Sequence, residues 1–320
     1  MNLVHLHLLL NHIPVIGMVI GLGLYVLALI QRSEDLKRAS LLLFLGLALL
    51  AIPTYMSGNG AEETICVVPG ATPNGPCTDR SVSRAAIDTH NDTALAAFTV
   101  LEFVGMFAWL GLWQYRRLSR PTAGNLAVVL VLSVITVGLM VAAGNTGGAI
   151  RHPEMGAAMS SPTPWITASA VQKFVLSQPW MWPTCETLHF IGLSLLFGIV
   201  LVVDLRMMGL IKHVSFAALH RLLPWAILGF AINLLTGMAF YIASHDSNHY
   251  TTSVTFQWKM VLVLIAGANA LYFTVFDEPW ELGPGDDAPL MAKAMAASAV
   301  LLWIGIMFCG SMLPFLGNSF

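Results

Sequence analysis

Apolar residues run along this chain in blocks of about 20, the length that crosses the ~30 Å hydrocarbon core of a bilayer, with polar clusters between them. Eight such blocks stand near 8–30, 39–57, 93–114, 124–143, 184–204, 222–243, 256–276 and 291–315. In lipid every backbone amide needs an internal partner, so each block is a helix and the pattern predicts an all-α integral membrane fold. A longer polar stretch, broken by Pro153, Pro162, Pro164 and Pro179, separates the fourth and fifth blocks. It divides the chain into an N-terminal four-helix module (1–155), a connecting segment (156–183) and a C-terminal four-helix module (184–320).

Composition agrees with this reading. In 320 residues, 57% are hydrophobic and 10% charged, and the mean hydropathy of +0.74 is far too high for a soluble domain. The net charge of −2 says little by itself, and no basic stripe points to nucleic acid. The distribution of cations says more. Arg32, Lys37 and Arg38 follow the first block, Arg116, Arg117 and Arg120 the third, and Arg206, Lys212 and Arg221 the fifth. With Lys293 these are ten of the fifteen Lys and Arg residues on one side. The positive-inside rule makes that side cytoplasmic and puts both termini in the periplasm of a bacterial inner membrane. No positively charged n-region opens the chain, and the apolar run Ile13–Ile30 is too long for a signal-peptide core, so it reads as a retained first span.

Histidine carries the candidate chemistry. His5, His7 and His12 open the first block, and His90, His152 and His189 fall where other blocks meet the same expected outer face. Imidazole is costly to desolvate and readily ligates metals and haem iron. No C-x-x-C-H occurs, so covalent haem attachment is excluded and any haem is b-type. His5 and His12 are seven apart and share a helix face, while His7 points roughly 140° away from His12. Facing helices of a bundle can bring His12 and His90 to opposite sides of one haem iron. The plainer reading is that these are interfacial imidazoles bonded to carbonyls. Met155 and Met159 beside His152 leave room for a further ligand. Cys66 and Cys77 share the 58–92 loop, where a disulfide is expected, and Cys309 reads as a small packing residue.

The motif H-x4-H-x-P (His7, His12, Pro14), then P-x-Y-x-S-G (Pro53, Tyr55, Ser57, Gly58), a histidine opening the third block and the pair Gly147-Gly148 together resemble a bacterial family of four-helix inner-membrane proteins known only as a domain of unknown function. The likeness covers about 1–155. Over about 175–315, E-x-x-H (Glu186, His189), D-L-R-M-M-G (Asp204 to Gly209), R-L-L-P-W (Arg221 to Trp225) and F-x-x-K (Phe256, Lys259) resemble a second such family. Both are similar in outline to b-type membrane cytochromes. The resemblance implies an integral-membrane redox role.

In the second half, Glu186 lies three residues before His189 and could orient its ring. Met181, His245 and His249 are the nearby candidates for a second ligand. His213 and His220 fall in an amphipathic connection where a solvated role is expected. Lys259 reads as a snorkelling lysine. Glu102 is different: it sits mid-block, where an ionised carboxylate is several kcal/mol unfavourable unless paired or protonated. It is either a proton relay for quinol chemistry or an acid bonded to Thr136 or Asn125. His12 and His189 each precede an apolar run ending in arginine, which an ancient duplication would explain but which the tolerance of helix ends for polar residues explains more simply. The leading expectation is haem-mediated electron transfer between a quinone pool and a periplasmic or membrane redox partner. The rivals are a permease or metal-handling protein, with Glu102, Asn233, Thr236 and Asn269 lining its path, and a non-redox anchor subunit of a respiratory complex.

Overall fold

The computed structural model describes residues 3–66, 77, 82–151, 166–244, 250, 253–276 and 280–316. All regular structure among them is helical, and eight helical segments are long and apolar enough to cross a membrane. These spans are Leu3–Gln31, Glu34–Cys66, Arg84–Leu118, Ala123–Ile150, Met181–Met207, Phe216–Ala243, Val254–Val275 and Leu290–Leu313. Several outrun the apolar blocks. The second and third hold 33 and 35 residues, about 50 Å of helix against ~30 Å of hydrocarbon. Hydropathy sees only the lipid-crossing part, because polar turns can prolong a helix into the interface. His90 therefore lies well inside a helix rather than at its mouth.

The first unit comprises Met1–Leu112 and Arg120–Lys173. Its first span is interrupted: one helix covers Leu3–Leu10, and a second runs His12–Gln31. Pro14 explains the break, since it cannot donate to the Leu10 carbonyl and its ring crowds that position. Elsewhere helices approach closely through small residues, as membrane helices must when no solvent drives them together. A Cβ on Gly105 would stand 2.4 Å from that of Ala48. Tyr25, fully buried, donates from its hydroxyl to the Leu126 carbonyl at 3.1 Å, and Tyr55 stacks on Phe98 at 4.9 Å. Cys66 and Cys77 form a disulfide. Beside it, Arg84 pairs with Glu62 at 2.7 Å, and Asn91 donates to the same carboxylate.

The second unit comprises Trp113–Ser119 and Phe174–Phe320. The last turn of the third span belongs here because its polar side chains bond within this unit. Trp113 donates to the His220 carbonyl at 2.7 Å, and Arg116 donates to the carbonyls of Phe273, Thr274 and Phe276. Arg206 is fully buried and plays the same part more strongly. Its guanidinium donates to Val214 O at 2.7 Å, Gly283 O at 3.0 Å and Asp286 O at 3.2 Å, and lies 4.3 Å from the Phe216 ring. One cation thereby satisfies three loop carbonyls while its charge faces an aromatic ring. His220 is buried, with Trp113 at 5.8 Å and Trp280 at 5.1 Å. The solvated role expected for it is corrected on that ground: a five-residue helix, Phe216–His220, turns the ring inward. His213 is exposed as expected.

Candidate functional site

In the first unit, two histidines are held in the same way. His7, on the short leading helix, sets Nδ1 3.1 Å from the Thr54 carbonyl and 3.5 Å from Ser57 Oγ. His90, on the third span, sets Nδ1 3.0 Å from the Ala143 carbonyl and 3.3 Å from Thr146 Oγ1. Each ring lies against a glycine of the following span: a Cβ on Gly58 would stand 2.9 Å from His7 Cε1, and one on Gly147 3.0 Å from His90 Cε1. The correspondence is position by position, since the carbonyl lies four residues before the glycine and the hydroxyl one residue before it in both cases. The two imidazoles are near enough to interact electrostatically.

Tautomers follow from the partners. A carbonyl only accepts, so in the neutral ring Nδ1 of both His7 and His90 carries the proton, and Nε2 presents its lone pair. This is the arrangement in which imidazole ligates iron, with the other nitrogen anchored by an oxygen that fixes ring orientation. The glycines and the Ser57 and Thr146 hydroxyls are what the sequence reading passed over. Ser57, Gly58 and Gly147 stood inside the quoted motifs, but nothing in linear spacing tied them to a particular histidine.

The sequence suggested His12 as the partner of His90; the histidine whose charge reaches His90 is His7. His12 and His5 are both exposed on their helices, as their shared face implies, whereas His7, on a different face, meets the second span at Thr54 and Ser57. His152, Met155, Met159, His245 and His249 lie outside the described residues.

The second unit repeats part of this geometry. His189 places Nδ1 2.8 Å from Thr236 Oγ1, and that hydroxyl donates to the Ile232 carbonyl at 2.7 Å. The hydroxyl proton is thus committed, Nδ1 is the donor between them, and Nε2 is again the lone-pair nitrogen. Gly237 follows Thr236, and a Cβ on it would meet His189 Cε1 at 3.8 Å. Glu186 is exposed. The orienting role expected for it belongs to Thr236, because the ring is turned toward the sixth span.

Glu102 is buried on the third span, and its Oε1 has no hydrogen-bond partner. Neither expected partner reaches it: Asn125 donates to the Phe107 carbonyl at 3.1 Å, and Thr136 donates to the Leu132 carbonyl at 2.8 Å. Asn233 donates to its own helix at Gly229 O, 3.0 Å, and Asn269 to Met295 O and Ser298 Oγ at 2.9 and 2.8 Å. No group of three or more His, Cys, Asp or Glu is arranged around a common point among the described residues. A metal or haem would therefore rest on a pair of nitrogen ligands. No protein-family model, curated protein or solved structure matches this chain.

Proposed function

We propose that the protein is a membrane electron-transfer component whose first unit binds b-type haem, with His7 and His90 as axial ligands. The observation that carries this reading is the matched pair of imidazoles. Both have Nδ1 anchored to a backbone carbonyl and a hydroxyl, both present Nε2, and both lie on a glycine that leaves ring-sized space. The donor set fits the group, since two neutral imidazoles make a six-coordinate haem iron. Bound there, haem supplies one-electron chemistry. The chain supplies the rest: Thr54 and Ala143 hold the ring protons at Nδ1, Ser57 and Thr146 fix the ring planes, and the surrounding apolar spans exclude water. Glu102, buried with an unpartnered oxygen, is the carboxyl that could take up or release a proton when a quinol is oxidised. We place the pair on the periplasmic side of a bacterial inner membrane, with both termini periplasmic and a periplasmic or membrane redox protein as electron partner. In this reading the exposed His12, and His189 of the second unit, have no part in the first haem.

A permease is less well supported. Asn233 and Asn269 donate to nearby backbone and side-chain oxygens rather than lining an open path, which leaves Glu102 as the one midspan carboxyl of the first unit without a bonded partner for Oε1.

The test is a reduced-minus-oxidised visible spectrum of the purified chain, followed by anaerobic addition of a short-chain quinol. A b-type spectrum that the quinol develops is the expected result. A chain purified without absorbance, from cells supplied with haem, would overturn the proposal. Reporter tags at either terminus should read periplasmic, and tags in 31–38 or 115–120 cytoplasmic.

A further inference from the structure

The seventh and eighth spans complete a pattern. Each even-numbered span carries one Ser, Thr or Cys followed by glycine: Ser57-Gly58, Thr146-Gly147, Thr236-Gly237 and Cys309-Gly310. These are the four places in the chain where that dipeptide occurs. The first three receive His7, His90 and His189. The fourth receives Lys259, whose Nζ lies 3.7 Å from where a Cβ on Gly310 would stand. Lys259 thus occupies in the second unit the place that His90 occupies in the first. Lys259, expected from the sequence to snorkel, sets its Nζ beside this glycine. Among the described residues no carboxylate pairs with it, and no hydrogen bond joins it to His189, although the two side chains are near enough to interact electrostatically.

Two nitrogen bases on opposing hairpins, neither bonded to the other, are explained by a Lewis acid between them. A primary amine is a nitrogen donor like imidazole, and a four-carbon stem lets it reach the same point from one helix further out. We propose that the second unit holds a haem of its own, ligated by His189 Nε2 on one side and the Lys259 amine on the other. The inference rests on the reading of the first unit, because it is the shared hydroxyl–glycine recess that identifies the ligand class. The protein then carries two haems of different ligation, imidazole–imidazole and imidazole–amine, and amine ligation sets the second iron apart in its electronic spectrum.

The experiment is the haem-to-protein ratio of the full chain, with near-infrared and electron paramagnetic resonance spectra of the ferric form. Variants are His90→Ala, His189→Ala, Lys259→Ala and Lys259→His. Two haems per chain are expected, with two distinct low-spin ferric signals. His90→Ala removes the bis-imidazole signal alone. His189→Ala removes the other, and Lys259→Ala removes it or makes it high-spin. Lys259→His keeps both haems and merges the second signal with the first, which separates loss of a ligand from loss of folded protein. One haem, lost with His90→Ala and untouched by changes at His189 and Lys259, would overturn this inference while the first-unit reading stands. One haem, lost with His189→Ala and untouched by His90→Ala, would support it and overturn the reading of the first unit. A chain without haem overturns both.

Discussion

The two units use one recess in two ways. In the first, both sides are imidazoles, and each would stand 2.9–3.0 Å from a Cβ added to its glycine. In the second, one side is imidazole and the other a flexible amine, and the corresponding distances open to 3.7–3.8 Å. A tight glycine fixes a rigid five-membered ring, whereas a lysine stem adapts and needs less help from its neighbour. The units also differ in how they are braced. The first closes its site region with the Cys66–Cys77 disulfide and the Glu62–Arg84 pair. The second relies on Arg206, buried among three carbonyls. The lesson is that the recess of Ser, Thr or Cys followed by glycine is the recurring element, and that the nitrogen side chain beside it and the brace vary.

The largest effect separates the braces. Arg206→Leu leaves three carbonyls without their donor in a buried loop region, and should cost about 3 kcal/mol or more. Thermal unfolding followed by intrinsic fluorescence should fall sharply, while the first-unit haem signal at room temperature persists. A melt unchanged by this substitution would refute the bracing role.

Next comes the disulfide. Cys66→Ser with Cys77→Ser opens a loop whose closure contributes about 3 kcal/mol. The double variant should unfold earlier under non-reducing conditions and match reduced wild type. The bis-imidazole signal should survive, because neither cysteine touches His7 or His90. Free thiols in wild-type protein from an oxidising compartment would refute the bond itself.

The glycines sharpen the contrast most finely. Gly58→Ala and Gly147→Ala place a methyl where a histidine ring already lies and should cost about 1–3 kcal/mol of overpacking, with loss or broadening of the first haem signal. Gly237→Ala makes ordinary contact and should leave the His189 signal nearly unchanged. Equal effects at all three positions would erase the proposed difference between the recesses.

The smallest effect is electrostatic. Asp287 accepts from Lys293 at 2.7 Å and pairs with Lys212 at 3.1 Å. Those ammonium partners hold its carboxyl below the usual range. A carboxyl depressed on folding stabilises the fold above its unfolded pKa of about 3.9, and that contribution disappears as pH falls through the lower folded value. Asp287 is fully exposed in its charged tip, so the effect is slight and salt-screened. Wild type should lose slightly more melting temperature than Asp287→Asn between pH 5 and pH 3. Parallel slopes would show that the pairs contribute nothing.

Much of this was legible in the chain. Eight apolar blocks gave the helices, because lipid leaves the backbone no other choice. Cys66 and Cys77 were readable from their shared loop. The site was only half readable. Histidines at the block ends were visible, and His12 was set against His90 because the two fall at matching depth on the first and third spans and both stand in the quoted motifs. Only the packing of the first span on the second shows His7 meeting Ser57-Gly58. Thr236 was read as a path-lining residue and Lys259 as a snorkelling one for a related reason. Neither residue type suggests ligation on its own, and their recess is formed by residues 47 and 51 positions away. The dipeptide of Ser, Thr or Cys followed by glycine in each even-numbered span was the signal in the sequence that could have joined them.

The most direct measurement is haem retained by His7→Ala, His90→Ala and His12→Ala in membranes normalised for protein, read in the bis-imidazole ferric signal. The account predicts that His7→Ala and His90→Ala each abolish that signal, while His12→Ala leaves it intact. Loss with His12→Ala and retention with His7→Ala would contradict it.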